Sequence, residues 1–90
     1  MKLTKEMKNI LKEFGHEESD FPQIERALKV TKYKFYEGEK SEEISRTVAI
    51  EKLGLRAFMS GISRSAFHWS SMRTCENGSS VRFDSSKLFK

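Results

Sequence analysis

The stretch GISRSAFHW, residues 61–69, decides the predicted fold, because it has the composition of a turn that opens a helix. Gly61 ends the preceding element, and Ile62 can serve as a buried turn residue. Ser63 can cap the helix that follows by accepting a hydrogen bond from a free backbone N–H. We therefore predict a helix from Ser63 to about Arg73 and expect the rest of the chain to support it.

A helix through this stretch has one apolar and one polar face when its residues are spaced at about 100°. The apolar sector holds Ile62, Ala66 and Trp69. The opposite sector holds Arg64, His68 and Ser71. Phe67 and Met72 flank that polar sector on either side. We predict that the apolar sector packs on the core and that the polar sector is a contact surface.

An amphipathic helix is predicted near the N-terminus, over LTKEMKNILKEFG at residues 3–15. Thr4 is placed to cap it, and Gly15 is placed to end it. Its apolar residues follow the spacing i, i+3, i+4 and i+7, and they are Met7, Ile10, Leu11 and Phe14. A stripe of this kind either packs on the core or pairs with a second copy, so a homodimer is one expectation.

A second helix is predicted from Asp20 to Gly38. Asp20 and Gln23 are spaced like a capping box beside Pro22, a residue that the first turn of a helix tolerates. The apolar positions keep helical spacing, and they are Ile24, Ala27, Leu28, Thr31 and Phe35. The run VTKYKFY, residues 30–36, also alternates like a strand, which is the competing interpretation for the end of this segment.

From residue 41 onward, short helical pieces are separated by glycines. Ser45, which follows an apolar residue, is predicted to cap a helix that ends at Gly54, with Ser41 as the competing cap. A further short helix, 55–60, is predicted to end at Gly61. The helix from Ser63 follows directly after that turn.

The C-terminal segment carries a strong turn signal in Asn77-Gly78. Val81 and Phe83 alternate with polar residues beyond it, so a small hairpin is predicted. Asp84 can cap a last turn. That turn carries two apolar side chains that would hold the terminus against the body, Leu88 and Phe89.

These elements predict a mainly α fold of four to five short helices with a C-terminal β-hairpin. The chain of 90 residues is predicted to form a single domain with one core. Its parts are an N-terminal helical pair at 1–40, a group of helices at 41–73, and the hairpin with its terminal turn at 74–90.

The charged residues are distributed unevenly along the chain. The 17 Lys and Arg against 13 Asp and Glu give a net charge of +4, which is compatible with a polyanionic partner. Residues 1–53 hold eleven basic and eleven acidic side chains, whereas residues 54–90 hold six basic and two acidic side chains. The whole positive excess therefore lies in the C-terminal part, around the opening stretch.

The cysteine count and the hydropathy pattern indicate a cytoplasmic protein. Cys75 is the single cysteine, so no intrachain disulfide can form. The longest apolar runs span three residues, far fewer than a membrane span needs. We expect no membrane association, and the small size suits a phage or mobile element.

The central stretch resembles the core pattern of helix-turn-helix DNA-binding modules over about residues 53–73. The resemblance consists of Ala57, then Gly61 four residues later, then residues 62–65 and an apolar Phe67. In that family the small residue lets two helices approach, the glycine makes the turn, and the next helix enters the major groove. The family register implies a buried Phe67, whereas the wheel favours Trp69 as the core aromatic residue.

The chain also departs from the family pattern and allows a second register. Arg56, Ser60 and Ser70 stand where the family usually has apolar residues. With Ile50 in the small-residue place and Gly54 in the turn, the sequence is similar to winged modules that have a hairpin after the reader helix. The two registers exclude each other.

The resemblance implies that the protein is a small regulator of transcription that contacts duplex DNA through helix 63–73. It assigns base-edge or groove contacts to Arg64, Ser65 and His68. It assigns phosphate contacts to Arg56, Arg73 and Arg82. Ser71 and Phe67 complete the predicted surface.

Two other binding functions compete with duplex binding. The same surface, with Phe67, Met72 and the arginines, suits a protein-binding module or inhibitor of an acidic partner protein. The run KYKFY, residues 32–36, alternates basic with aromatic side chains, as binding sites for single-stranded nucleic acid do. We favour the simpler interpretation of this run, a helix with tyrosines at the rim of the core.

The sequence gives no support to catalysis, metal binding or a cofactor. His16, His68 and Cys75 have a spacing that matches no zinc pattern. No elbow motif surrounds a serine or the cysteine, and no glycine-rich loop follows a strand. We expect a protein that is not an enzyme.

Overall fold

Residues 2–90, which the computed structural model describes, form four α-helices and one four-stranded antiparallel sheet. The helices are α1 (Lys5–Glu13), α2 (Phe21–Val30), α3 (Arg46–Leu53) and α4 (Leu55–His68). The strands are β1 (Lys32–Glu37), β2 (Lys40–Ile44), β3 (Ser70–Thr74) and β4 (Ser80–Asp84). Short 3₁₀ turns lie at Glu18–Asp20 and Ser86–Phe89. The fold is α+β, and the prediction of a mainly α fold is wrong.

The sheet has the strand order β2-β1-β4-β3. Each half of the chain supplies two helices followed by a β-hairpin, and the two hairpins join through antiparallel pairing of β1 with β4. Side chains from alternate positions of the central strands, among them Tyr33 and Phe83, are buried on one face. The helices pack on that face, since α4 contacts β3 and β4 and α3 contacts β1. The other face is open to solvent.

The second helix ends at Val30, so its predicted extension to Gly38 is wrong and the competing strand interpretation is correct. In β1, Tyr33 and Phe35 are buried while the lysines between them are exposed. The strand forms because β2 and β4 pair with it on either side. Tertiary pairing of this kind outweighs helical spacing in a segment rich in aromatic residues.

The predicted turn at Gly61 is also wrong, because α4 runs without a break from Leu55 to His68. Gly61 serves close packing instead. A Cβ added there would lie 2.5 Å from Cε1 of Phe83, a distance that no real contact tolerates. The glycine therefore lets the ring of Phe83 approach the backbone of α4.

The predicted helix to Arg73 ends at His68 instead. Trp69 has φ 58°, in the left-handed region, and terminates the helix, after which β3 begins. Neither candidate for the core aromatic residue is buried, since Phe67 is 42% exposed and Trp69 is 54% exposed. Ile62 and Ala66 are fully buried, as predicted.

Several predicted helix ends are confirmed. Thr4 accepts a hydrogen bond from Met7 N and caps α1, and Ser45 accepts one from Val48 N and caps α3. The competing cap at Ser41 is wrong, because that residue lies within β2.

The C-terminal hairpin is confirmed as β3 and β4, with Gly78 at φ 90° in the turn between them. Asp84 Oδ1 accepts a hydrogen bond from Ser86 N at the start of the final 3₁₀ turn, as the sequence predicts. In that turn Leu88 packs against the core, whereas Phe89 is 52% exposed.

The buried apolar residues form one cluster between the helices and the sheet. At its centre the rings of Tyr33, Phe58 and Phe83 meet with centroid separations of 5.5 to 5.6 Å. Met7 and Leu11 from α1 are buried in the same cluster. Half of the N-terminal stripe is therefore buried in the core of its own chain, and the structure gives no support to the expected dimer contact through it.

In the part of the chain that the structure describes, every helix is too short or too polar to cross a membrane.

Candidate anion-binding cleft

An open cleft of about 500 Å³ lies where α4, the connector between α1 and α2, and the strand β3 meet. We call it the α4 cleft. Nine side chains line it, Phe14, His16, Asp20, Ser60, Ser63, Arg64, Phe67, His68 and Arg73. Three distant segments of the sequence contribute to this set.

Helix α4 supplies the centre of the cleft with Arg64, Phe67 and His68. These residues stand at i, i+3 and i+4, so they share one face of the helix, and all three are exposed. The rest of α4 contacts α1, α2, α3 and the sheet. A narrow sector of α4 therefore faces solvent, and the neighbouring elements border it.

Arg73 reaches the cleft from β3 and is held by neutral acceptors. Its Nε donates to Ser60 Oγ at 3.1 Å, its Nη2 to the Ser60 carbonyl at 3.3 Å, and its Nη1 to the Met72 carbonyl at 2.8 Å. Partial burial lowers the pKa of Arg73, and the nearby charge of Arg64 lowers it further. The guanidinium is fixed in place while its charge stays uncompensated.

Neither arginine of the cleft has an acidic partner. Among residues 2–90, no carboxylate oxygen lies within 4.0 Å of Arg64 or Arg73. Two uncompensated guanidinium groups that repel each other, one of them partly buried, form an environment that an anion stabilises.

The opposite wall of the cleft contains a paired histidine. His16 Nδ1 and Asp20 Oδ2 are 3.1 Å apart, and the imidazole stacks on Phe67 with ring centroids 6.2 Å apart. The hydrogen bond with His16 lowers the pKa of Asp20, and a second one from Glu17 N lowers it further. Asp20 thus bonds to His16 and to the backbone of Glu17, within its own segment.

Arg56 lies one turn beyond the cleft and has an acidic partner. Its Nη1 is 2.6 Å from Glu13 Oε2, and its guanidinium lies 5.0 Å from the ring centroid of Phe14. Both partners of the ion pair are mostly exposed. Of the predicted phosphate contacts, Arg56 is therefore close to the cleft but already compensated.

Ser65, a predicted base-edge contact, is fully buried and cannot reach a partner. Its hydroxyl donates to the Ile62 carbonyl and also pairs with Ser85 Oγ at 2.8 Å, and Ser85 pairs with Thr31 Oγ1 at 2.5 Å. The reason is geometric, since Ser65 is rotated by about 100° from Arg64 around the helix axis. Ser65 belongs to the interior.

Ser71 and Arg82 also lie outside the cleft. The hydroxyl of Ser71 donates to the Gly61 carbonyl at 2.7 Å and ties β3 to α4. Arg82 is exposed on the open face of the sheet, because it alternates with the buried Val81 and Phe83 along β4. The structure therefore separates Arg82 from Arg64 and Arg73.

The structure unites four predicted residues, Arg64, Phe67, His68 and Arg73. It adds five that the sequence did not predict as site residues, Phe14, His16, Asp20, Ser60 and Ser63. Phe14 and His16 flank Gly15 at the end of α1, and no local pattern relates that segment to α4.

The chemistry of the α4 cleft suits an oxyanion held between guanidinium groups, with aromatic rings at its border. Among residues 2–90, no three His, Cys, Asp or Glu side chains come together in a group that could hold a metal ion. No protein-family model, curated protein or solved structure matches the chain.

Proposed function

We propose that the protein binds duplex DNA by taking backbone phosphates into the α4 cleft. The observation that carries the proposal is the pair Arg64 and Arg73, which lack any carboxylate partner within 4.0 Å among residues 2–90. Guanidinium groups form strong, directional hydrogen bonds to phosphate oxygens. The hydrogen bonds from Arg73 to Ser60 fix its orientation before the ligand arrives.

The shape of the surface favours backbone contact over insertion of a helix into the major groove. A reader helix must protrude to reach base edges. The exposed sector of α4 instead forms one wall of a cleft that Phe14 and His16 border on the other side. A phosphate and its sugar can enter such a cleft, and contacts of this kind carry little sequence information. We therefore propose binding that depends weakly on base sequence.

The aromatic residues of the cleft fit the same ligand. Phe14 is 37% exposed and Phe67 is 42% exposed, and both line the cleft beside the arginines. Apolar rings at this position can contact the deoxyribose next to a bound phosphate. His68, one turn after Arg64, can donate a further hydrogen bond to the backbone.

A titration of a labelled duplex of random sequence, followed by fluorescence anisotropy at two salt concentrations, tests the proposal. If two phosphates are neutralised, raising the salt from about 50 to 200 mM weakens binding about tenfold. Arg64→Ala and Arg73→Ala should each weaken binding about tenfold at low salt, since each removes charged hydrogen bonds. Arg26→Ala is the matched control, because Arg26 is exposed on α2 outside the cleft.

Two results would overturn the proposal. The first is the absence of measurable binding at low salt. The second is an equal loss of affinity in Arg26→Ala and Arg64→Ala, which would show that net charge alone drives the association. Circular dichroism of each variant separates loss of binding from loss of folding.

The exposed aromatic residues favour a second candidate, binding of an acidic partner protein. Trp69 is 54% exposed and Phe67 is 42% exposed, and large aromatic side chains of this kind anchor protein interfaces. This candidate predicts that Phe67→Ala abolishes capture of the partner from a lysate while leaving DNA affinity within about threefold. If Phe67→Ala weakened DNA binding and left capture of the partner protein unchanged, this candidate would be excluded.

A further inference from the structure

The open face of the sheet carries a second group of basic and aromatic side chains, separate from the α4 cleft. The central strands present alternate residues to this face, Lys32, Lys34 and Tyr36 from β1 and Ser80, Arg82 and Asp84 from β4. A shallow depression of about 360 Å³ lies over them. The helices cover the other face, so this one is accessible along its whole width.

Two positive charges face each other at the centre of this surface. Lys34 of β1 and Arg82 of β4 are direct cross-strand partners. Like charges in this arrangement destabilise a sheet, because their side chains are held side by side. Lys32 stands two residues from Lys34 on the same face and adds a third charge.

The two acidic side chains of this face offset the three basic groups only in part: hydrogen bonds from Ser86 lower the pKa of Asp84, and the charges of Arg82 and Lys32 lower it further. Glu43 is the cross-strand neighbour of Lys34 on the far side, and Asp84 is the partner of Lys32. Asp84 Oδ1 accepts a hydrogen bond from Ser86 N at 3.0 Å, which directs this carboxylate to the final turn. Within residues 2–90, none of the basic groups on this face lies within 4.0 Å of a carboxylate oxygen.

Tyr36 adds an aromatic ring beside these charges. The Nζ of Lys34 lies 5.7 Å from the centroid of the ring. The cross-strand neighbours of Tyr36 are Ser80 and Ser41, whose side chains are small. A flat surface with a ring and adjacent cations is suited to a base that stacks while its phosphates meet the charges.

We propose that the open face binds single-stranded nucleic acid, with a base on Tyr36 and phosphates at Lys34 and Arg82. The excess of basic over acidic groups on this face favours a polyanion, and the ring favours exposed bases over a duplex whose bases are already stacked. The alternation of lysines and aromatics in KYKFY, residues 32–36, produces this surface once the segment is a strand. This proposal is independent of duplex binding in the α4 cleft.

Titration of a labelled oligothymidine of about ten nucleotides with the full chain tests the proposal. Tyr36→Leu should weaken binding about tenfold, whereas Tyr36→Phe keeps the ring and should bind within about twofold of the native protein. Lys34→Ala and Arg82→Ala should each weaken binding severalfold and make its salt dependence shallower, because each removes one phosphate contact. Lys40→Ala is the control, since Lys40 of β2 alternates to the other face and should have no effect.

The variants of the two surfaces separate the two proposals. Arg64→Ala should leave oligothymidine binding unchanged, and Lys34→Ala should leave duplex binding unchanged. Oligothymidine binding that survives Tyr36→Leu, Lys34→Ala and Arg82→Ala in folded protein would overturn the inference. So would binding that is lost in Arg64→Ala, because the single strand would then occupy the α4 cleft.

Discussion

Gly61 lies in the middle of α4, where glycine costs about 1 kcal/mol relative to alanine as a helix former. The ring of Phe83 occupies the space of its missing side chain, since an added Cβ would lie 2.5 Å from Cε1. We predict that Gly61→Ala lowers the free energy of unfolding by roughly 2 kcal/mol, against the trend of helix propensity, because overpacking outweighs the gain. Urea denaturation followed by circular dichroism measures the change.

A double variant checks the cause of this loss. Phe83→Leu removes the ring edge that meets the added methyl group, so Gly61→Ala should cost less in that background than in the native protein. An equal cost in both backgrounds would show that Phe83 is not the reason for the glycine.

Trp69 holds a backbone conformation that suits glycine, because its φ of 58° lies in the left-handed region at the end of α4. An L side chain costs about 1 kcal/mol or more there, whereas the indole is 54% exposed and nearly half of its surface is buried. We predict that Trp69→Gly has a free energy of unfolding about 1 kcal/mol higher than that of Trp69→Ala, because both lose the indole but only glycine relieves the backbone strain. The measurement uses circular dichroism, since the variant removes the single tryptophan of the chain.

Trp69→Ala is the control for this prediction. It removes the indole but keeps the Cβ and therefore the strain. Stability of Trp69→Gly no greater than that of Trp69→Ala would show that the left-handed backbone is not strained by the side chain.

At the scale of elements, three buried hydroxyl groups join α4, the end of α2 and the final turn. Ser65 donates to the Ile62 carbonyl, so Ser85 donates to Ser65 and Thr31 donates to Ser85, which satisfies every hydroxyl proton. We predict that Ser85→Ala lowers the free energy of unfolding by about 1 to 3 kcal/mol, because two buried groups lose their partner.

Thermal and urea unfolding of this variant give the measurement. Ser41→Ala, on the exposed strand β2, is the control and should change stability by less than about 0.5 kcal/mol. A Ser85→Ala protein as stable as the native chain would mean that the hydroxyl chain contributes nothing to holding these elements together.

The ends of several elements could be predicted because their chemistry is local. Thr4 and Ser45 cap helices through contacts three residues away, and Gly78 makes a turn within a hairpin. The strand β1 is different, because it is held by β2 on one side and on the other by β4, about fifty residues later in the chain. Helical spacing of apolar residues could not reveal a partner so distant in sequence.

The role of Gly61 could not be predicted for the same reason. A glycine between serines is also typical of a helix end, and the sequence alone does not reveal the ring of Phe83 against it. The break that the helix-turn-helix pattern places at Gly61 is therefore absent from α4. The proposal of duplex binding therefore rests on the cleft around this helix.

At the scale of the whole molecule, the sequence predicted one wall of the α4 cleft. The outward direction of Arg64 and His68 follows from the helical period, which needs no knowledge of the rest of the fold. The wall formed by Phe14 and His16 could not be predicted, because tertiary packing of α1 against α4 brings it there. Arg82 is the opposite case. It was predicted to contact phosphate together with Arg64 and Arg73, but β4 places it on the open face of the sheet.

The positive excess of residues 54–90 is also divided by the fold. Arg64 and Arg73 lie in the cleft on the helical side, and Arg82 lies on the open face of the sheet. Basic residues that are close together in the sequence thus lie on two separate surfaces. The two binding proposals follow from this division.

The most direct test of the α4 cleft is a titration of ¹⁵N-labelled protein with a short DNA duplex, followed through the arginine Nε–H and backbone resonances. We predict that the signals of Arg64, His68 and Arg73 shift first and most, while those of Arg26 and Arg82 stay in place. Shifts concentrated at Arg82, or no shifts at low salt with a folded protein, would contradict the account.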